Sequence, residues 1–164
     1  MTGSLGENPM MTTNQQITEI VELADVSVRV ASQLRAVKSG RSVRDFQSLE
    51  SASTFLDAAI EGGQFVFSGN AAGLQSTLSP LNWAADVRFQ ASSMSGNRAV
   101  NLEEYKRLVE FLQMVRETLE KVQQQEALDA TRIEDSIHFF QQLGKTLGTR
   151  ADQKMRLTSG VLRI

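Results

Sequence analysis

Residues 101–122 read NLEEYKRLVEFLQMVRETLEKV. Tyr105, Leu108, Leu112, Val115, Leu119 and Val122 recur at alternating spacings of three and four. That is the a/d heptad pattern, which puts one apolar seam along a helix. Val109, Phe111 and Met114 flank the seam and widen it. Asn101 supplies an N-cap, with Glu104 three residues on. An N-cap oxygen accepts one of the backbone N–H groups that a helix start leaves unpaired.

The register runs on past Val122 through Glu126 to Ile133, Phe140, Leu143 and Leu147. No Gly or Pro interrupts 101–143. The unbroken pattern favours one continuous helix to Leu147, roughly 70 Å long at 1.5 Å per residue. The competing reading turns the chain near Asp129. There Thr131 and Glu134 have the spacing of a second capping box, and Glu126 and Asp129 fall on seam positions.

Upstream, the chain reads as several shorter helices. The first spans about 14–38. Ile17, Ile20, Val21, Ala24, Val28, Ala31 and Leu34 form its inner face, with Leu23, Val30 and Val37 widening it. Ser39-Gly40 ends it, since Gly tolerates the left-handed conformation beyond a helix. Ser42 is the expected N-cap of the second helix, with Asp45 in its first turn. Phe46, Leu49, Ala52, Leu56, Ala59 and Ile60 face inward, and Gly62-Gly63 is the expected stop.

Gln64–Phe67 then reads as an extended connector or as the start of the next helix. As a strand, its one candidate partner is Gly160–Ile164. A third helix spans 70–78. Ser79-Pro80 resets the chain, because Pro fits the first helical position. The helix from Pro80 to Ser93 turns Trp83, Ala84, Val87, Ala91 and Met94 inward.

The expected fold is therefore all-α. It is an antiparallel helical bundle of about five helices, with one long C-terminal amphipathic helix, continuous or broken near Asp129, and a short irregular C-terminal tail. The divisions are 1–12 as a flexible leader, 13–148 as the bundle, and 149–164 as a basic tail or docking segment. A chain of 164 residues with no Cys needs no disulfide staple. Residues 1–12 lack the basic start and apolar core of a signal peptide, so a cytoplasmic location is expected, with leaderless export left open. No apolar run approaches the roughly 20 residues of a membrane span, and no membrane contact is expected.

The chemistry-bearing residues are few. His138 is the one histidine and stands beside Phe139 and Phe140. With no Cys, the usual Zn sets cannot form within one chain. Asp135 and Glu134 precede His138 at helical spacing, but only one such set exists. There is no G-x-S-x-G and no phosphate-binding glycine loop. No catalytic, cofactor or metal residue is assigned, and the chain is not expected to be an enzyme.

What remains is a helical interaction or assembly module, self-associating or serving as a scaffold within a larger complex. The partner is another protein or a second copy of the chain. The residues expected to contact it are Leu112, Val115, Leu119, Val122, Ile133 and Phe140. An alternative comes from the C-terminal charges. Formal net charge is −2 overall, whereas Lys145, Arg150, Lys154 and Arg156 cluster near the end. Such a patch suits phosphates of RNA or DNA, or an acidic protein. It carries no interleaved aromatics for base stacking.

Overall fold

The unbroken heptad register is cut at Gln125. The amide of Gln125 donates to the Val122 carbonyl at 3.2 Å, and that of Glu126 to Lys121 at 2.9 Å. Gln125 itself sits at φ 59°, in the left-handed region. This is the Schellman closure of a helix end. Asp129 then caps a new helix, its Oδ1 accepting from the Arg132 amide at 3.0 Å. The one long helix is thus two. The competing reading, a turn near Asp129, is the one that forms, and the sequence favoured it less because Gln, not Gly, takes the left-handed position. The apolar register also re-enters: Val122 and Ile133 are eleven residues apart, close to three helical turns.

The computed structural model describes residues 13–68, 75–88 and 102–163. Among these are five helices and no strand: α1 Thr13–Lys38, α2 Phe46–Ser68, α3 Gln75–Arg88, α4 Leu102–Gln123 and α5 Ala130–Arg163. The fold is all-helical. The Asn101 cap and the inward residues Ala91 and Met94 lie outside the described residues, as does the helix start at 70–74.

Three further expectations are corrected. Gly62-Gly63 does not stop α2, which runs on to Ser68 and takes Gln64–Phe67 with it. No strand forms there or at 160–163. Ser79-Pro80 does not start a helix, since Pro80 lies inside α3. Nor is the C-terminal segment irregular, because α5 continues through Gly144 and Gly148 to Arg163.

Two glycines inside helices, Gly63 and Gly144, have a packing reason. A Cβ on Gly63 would lie 2.2 Å from Val109 Cγ2. Gly63 therefore lets α2 approach α4 at backbone distance. On α5, a Cβ at Gly144 would meet Val28 Cγ2 at 3.1 Å, the Ala24 carbonyl at 3.4 Å and Ser27 Cβ at 3.5 Å. Small residues on both sides bring α1 onto α5, which is the most extensively packed pair. Helix interiors disfavour Gly by roughly 0.5–1 kcal/mol relative to Ala. Close packing is what makes it useful here.

This contact also sets the face α1 turns inward. Ser27 is fully buried, and its hydroxyl donates to the Leu23 carbonyl at 2.7 Å. Ile20, Val30, Ala31 and Leu34 are buried with it, whereas Val21 and Val28 stand outside. The expected inner stripe is rotated: Ser27 is fully buried at the crossing with α5, while Val28 reaches Gly144 with one methyl and keeps most of its side chain exposed.

α4 packs on α2 and α5, with a weaker contact to α3. Leu108, Leu112, Val115, Leu119 and Val122 are buried in one core with Ile133, Ile137, Phe139, Phe140, Leu143 and Leu147 of α5. Phe111 meets Phe139 edge-on, ring centroids 5.6 Å apart. Surface ion pairs link the helices: Arg116 to Asp57 at 3.0 Å and Arg132 to Glu117 at 2.8 Å. Such exposed pairs contribute little beside the core.

Two outcomes are expected in denaturant unfolding. Gly63→Ala lowers stability by about 1–3 kcal/mol through overpacking. Combined with Val109→Ala it costs less than the two single changes added; strict additivity would mean that the two residues do not press on each other. Gln125→Gly raises stability by about 0.5–1 kcal/mol by relieving the left-handed side chain. A lower unfolding midpoint would contradict that account of the turn.

Candidate functional site

The seam that the sequence offered to a partner is filled from within. Leu112, Val115, Leu119 and Phe140 are fully buried, and Val122 and Ile133 nearly so. Other helices of the same chain cover them. None of the six stands on the surface of the folded chain.

The C-terminal cations are divided. Lys145 is exposed on α5. Arg150 is half-buried and forms an ion pair with Asp86 of α3. Burial lowers the pKa of its guanidinium from the ordinary value. Arg150 thus ties α5 to α3 and is not presented to a phosphate. The side chains of Lys154 and Arg156 lie outside the described residues. His138, Glu134 and Asp135 are all exposed. No group of three His, Cys, Asp or Glu with the spacing to hold a metal is found among the described residues. Trp83 and Tyr105 pack partly buried against the core, and burial raises the pKa of the Tyr105 hydroxyl.

The surface features that stand out are two, and both involve α1. The first lies along its outer side. Val21 is 43% exposed and Val28 58%, seven residues apart and so on one face. Met155 of α5 is likewise exposed. Gly148, also exposed, leaves open space where a Cβ would be. Asp25, between the two valines, is held by Arg29 of its own helix at 2.8 Å. These valines were expected inside, so their exposure was not legible beforehand.

The second feature is the turn from α1 to α2. Its backbone is tied at several points. The Gly40 amide donates to Val37 at 2.9 Å, and that of Arg41 to Ala36 at 2.8 Å. Gly40 takes φ 87°. This is the same closure seen at Gln125, here with the glycine that suits it. Gln33 reaches out from α1, and its Oε1 accepts from the amides of Arg44 at 2.7 Å and Asp45 at 3.2 Å. Asp45, not Ser42, caps α2. Its Oδ1 accepts from the Ser48 amide at 3.0 Å, and its Oδ2 from the Ser48 hydroxyl at 2.6 Å.

From this braced loop project Arg41 and Arg44, both exposed, with Arg35 one turn back on α1. Residues 35–44 carry four cations and no acid, at a spacing of three: Arg35, Lys38, Arg41, Arg44. That run is readable in the sequence. Lys38 pairs with Glu134 on α5. Two clefts open beside Arg41. One, of about 480 Å³, is walled by Gln33, Ala36, Arg41, Ser42 and Arg44. The other, of about 290 Å³, is walled by Val37, Val43, Phe46, Val122 and Leu128, with Glu126 at its edge. Phe46, expected in the core, is 47% exposed at this rim. Asp45 ends the loop one residue earlier and starts the helix with Phe46 facing out.

The Ser48 hydroxyl and amide, and then Arg29 nearby, hold the Asp45 carboxyl below its usual pKa. A depressed folded pKa means stabilisation that is complete above the ordinary aspartate value of about 3.9 and lost as pH falls through the folded one. Asp45→Asn keeps the shape and removes the charge. Its thermal midpoint is expected below that of the parent at pH 7, with the gap closing as pH falls through the lowered pKa of Asp45. A gap that does not change with pH would rule out the charge as the cause.

Compared with models of protein families, with curated proteins and with solved structures, the chain gives no significant match.

Proposed function

We propose that the five helices pack as an antiparallel bundle and that the chain is a non-enzymatic assembly module. Its contact face is the outer side of α1 and α5, and its occupant is a second copy of the same chain. The observation that carries this reading is the pair Val21 and Val28, exposed at heptad spacing on the most extensively packed helix pair.

Self-pairing is favoured by symmetry. In a two-fold contact, residue i meets j and j meets i. Two α1 helices crossing in opposite directions would set Val21 of each copy against Val28 of the other. Asp25, between the valines, is already compensated by Arg29. The 26 residues of α1 reach about 39 Å. Over the width of a helix pair, about 20 Å, that gives on the order of 800 Å² per copy, the size of a standard specific interface.

Sedimentation equilibrium between about 1 and 200 µM tests it. The expected result is a monomer–dimer equilibrium within that range. Val21→Glu should weaken it at least ten-fold without lowering the thermal midpoint, because Val21 is exposed and outside the core. A strict monomer at every concentration, or a dimer indifferent to Val21→Glu, would sink the proposal.

A further inference from the structure

We infer that the α1–α2 turn is a second, separate binding site, which takes a short acidic peptide segment of another protein. A carboxylate of that segment sits on Arg41 and Arg44, and a neighbouring apolar side chain enters the slot beside Phe46. The site goes beyond the self-association face. It lies at the helix ends, on different residues.

The charge argument starts from which cations are already used. Arg29, Lys38, Arg116, Lys121, Arg132 and Arg150 each have a carboxylate partner. Arg35, Arg41 and Arg44 have none within ion-pair distance among the described residues, and they lie within ten residues of one another. Guanidinium groups meet carboxylates through two parallel hydrogen bonds, so closely placed arginines favour an anionic partner. Their cleft also offers the Ser42 side chain.

The loop is fixed before any ligand arrives. Gln33 holds the amides of Arg44 and Asp45, Asp45 caps α2, and Gly40 closes α1. Little backbone freedom is left to lose on binding, and that loss is a main cost of association.

The apolar slot decides what kind of anion fits. Val37, Val43, Phe46 and Leu128 share a second cleft with Arg41, Ser42, Gln125 and Glu126. An exposed aromatic beside paired cations is a typical anchor for a protein partner. Free phosphate would fill the basic cleft and leave the slot empty. A phosphodiester strand crossing the slot would meet Glu126. A peptide with an acidic residue next to Leu or Phe satisfies both clefts and can direct its charge away from Glu126.

The test uses the full chain and a fluorescein-labelled pool of short peptides that alternate Asp or Glu with Leu or Phe. Comparison pools replace the acids by Asn and Gln, or the apolar residues by Ser. Inorganic phosphate and a single-stranded oligonucleotide serve as competitors. Fluorescence anisotropy at low salt should show the acidic–apolar pool binding at least ten-fold more tightly than either comparison pool. Arg41→Ala with Arg44→Ala should abolish the difference, and Phe46→Ala should reduce it several-fold. All three side chains are outside the core, so unchanged melting curves verify the fold. Binding should persist in Val21→Glu, which separates this site from the dimer face.

Equal binding of all pools would overturn the proposal. So would arginine-dependent binding that ignores Phe46 and is displaced fully by phosphate, which would mark a plain anion site. Tighter binding of the oligonucleotide than of the acidic–apolar pool would assign the site to nucleic acid instead.

Discussion

Two missing Cβ atoms govern how these helices meet. Gly63 admits Val109 of α4 into the surface of α2, and Gly144 admits Val28, Ser27 and the Ala24 carbonyl of α1 onto α5. Helix axes normally stand about 8–10 Å apart, set by the side chains between them. Glycine at a crossing sets that distance near its lower limit. The rest follows from these approaches. Ser27 is drawn into the contact, which rotates α1 about its axis. Val21 and most of Val28 stay on the outside, and Gln33 reaches the α1–α2 turn, where its Oε1 accepts from two amides.

The two turns near this end of the molecule solve one problem with different residues. A helix leaves its last carbonyls unpaired, and a residue in the left-handed region brings the next amides back to them. Gly40 does this without strain, whereas Gln125 does it with a side chain that disfavours the conformation. Asp45 and Asp129 then each cap the following helix. The result is a braced surface where α1 meets α2 and α4 meets α5. The basic and apolar clefts share that surface, and Arg41 lines both.

Legibility of the site was uneven for a physical reason. A heptad seam signals burial, but it does not say whether the cover comes from the same chain. Leu112, Val115, Leu119 and Val122 were recognisable as a packing face, yet their partners are α5 and the other helices of this chain. Arg150 was recognisable as a cation, but its neighbour Asp86 is far away in sequence. Conversely, the run Arg35, Lys38, Arg41, Arg44 was visible in the sequence, while the lack of an ion pair for three of its members among the described residues appears only in three dimensions.

The sequence by itself determined the helical class, the apolar seams, and the end of α1 at Gly40. Those depend on periodicity and local backbone preference, which neighbouring residues carry. It took Gly62-Gly63 and Ser79-Pro80 as punctuation, and it left open whether one helix ran through Gln125 or the chain turned near Asp129. Only the tertiary structure decided those points. A glycine within a helix costs little when a neighbouring helix fills the space its side chain would have taken. A glutamine is held left-handed because the core on both sides fixes where the chain must turn. Local preference amounts to about 1 kcal/mol per residue, and burying a single large apolar side chain outweighs it at about 1.5–3 kcal/mol.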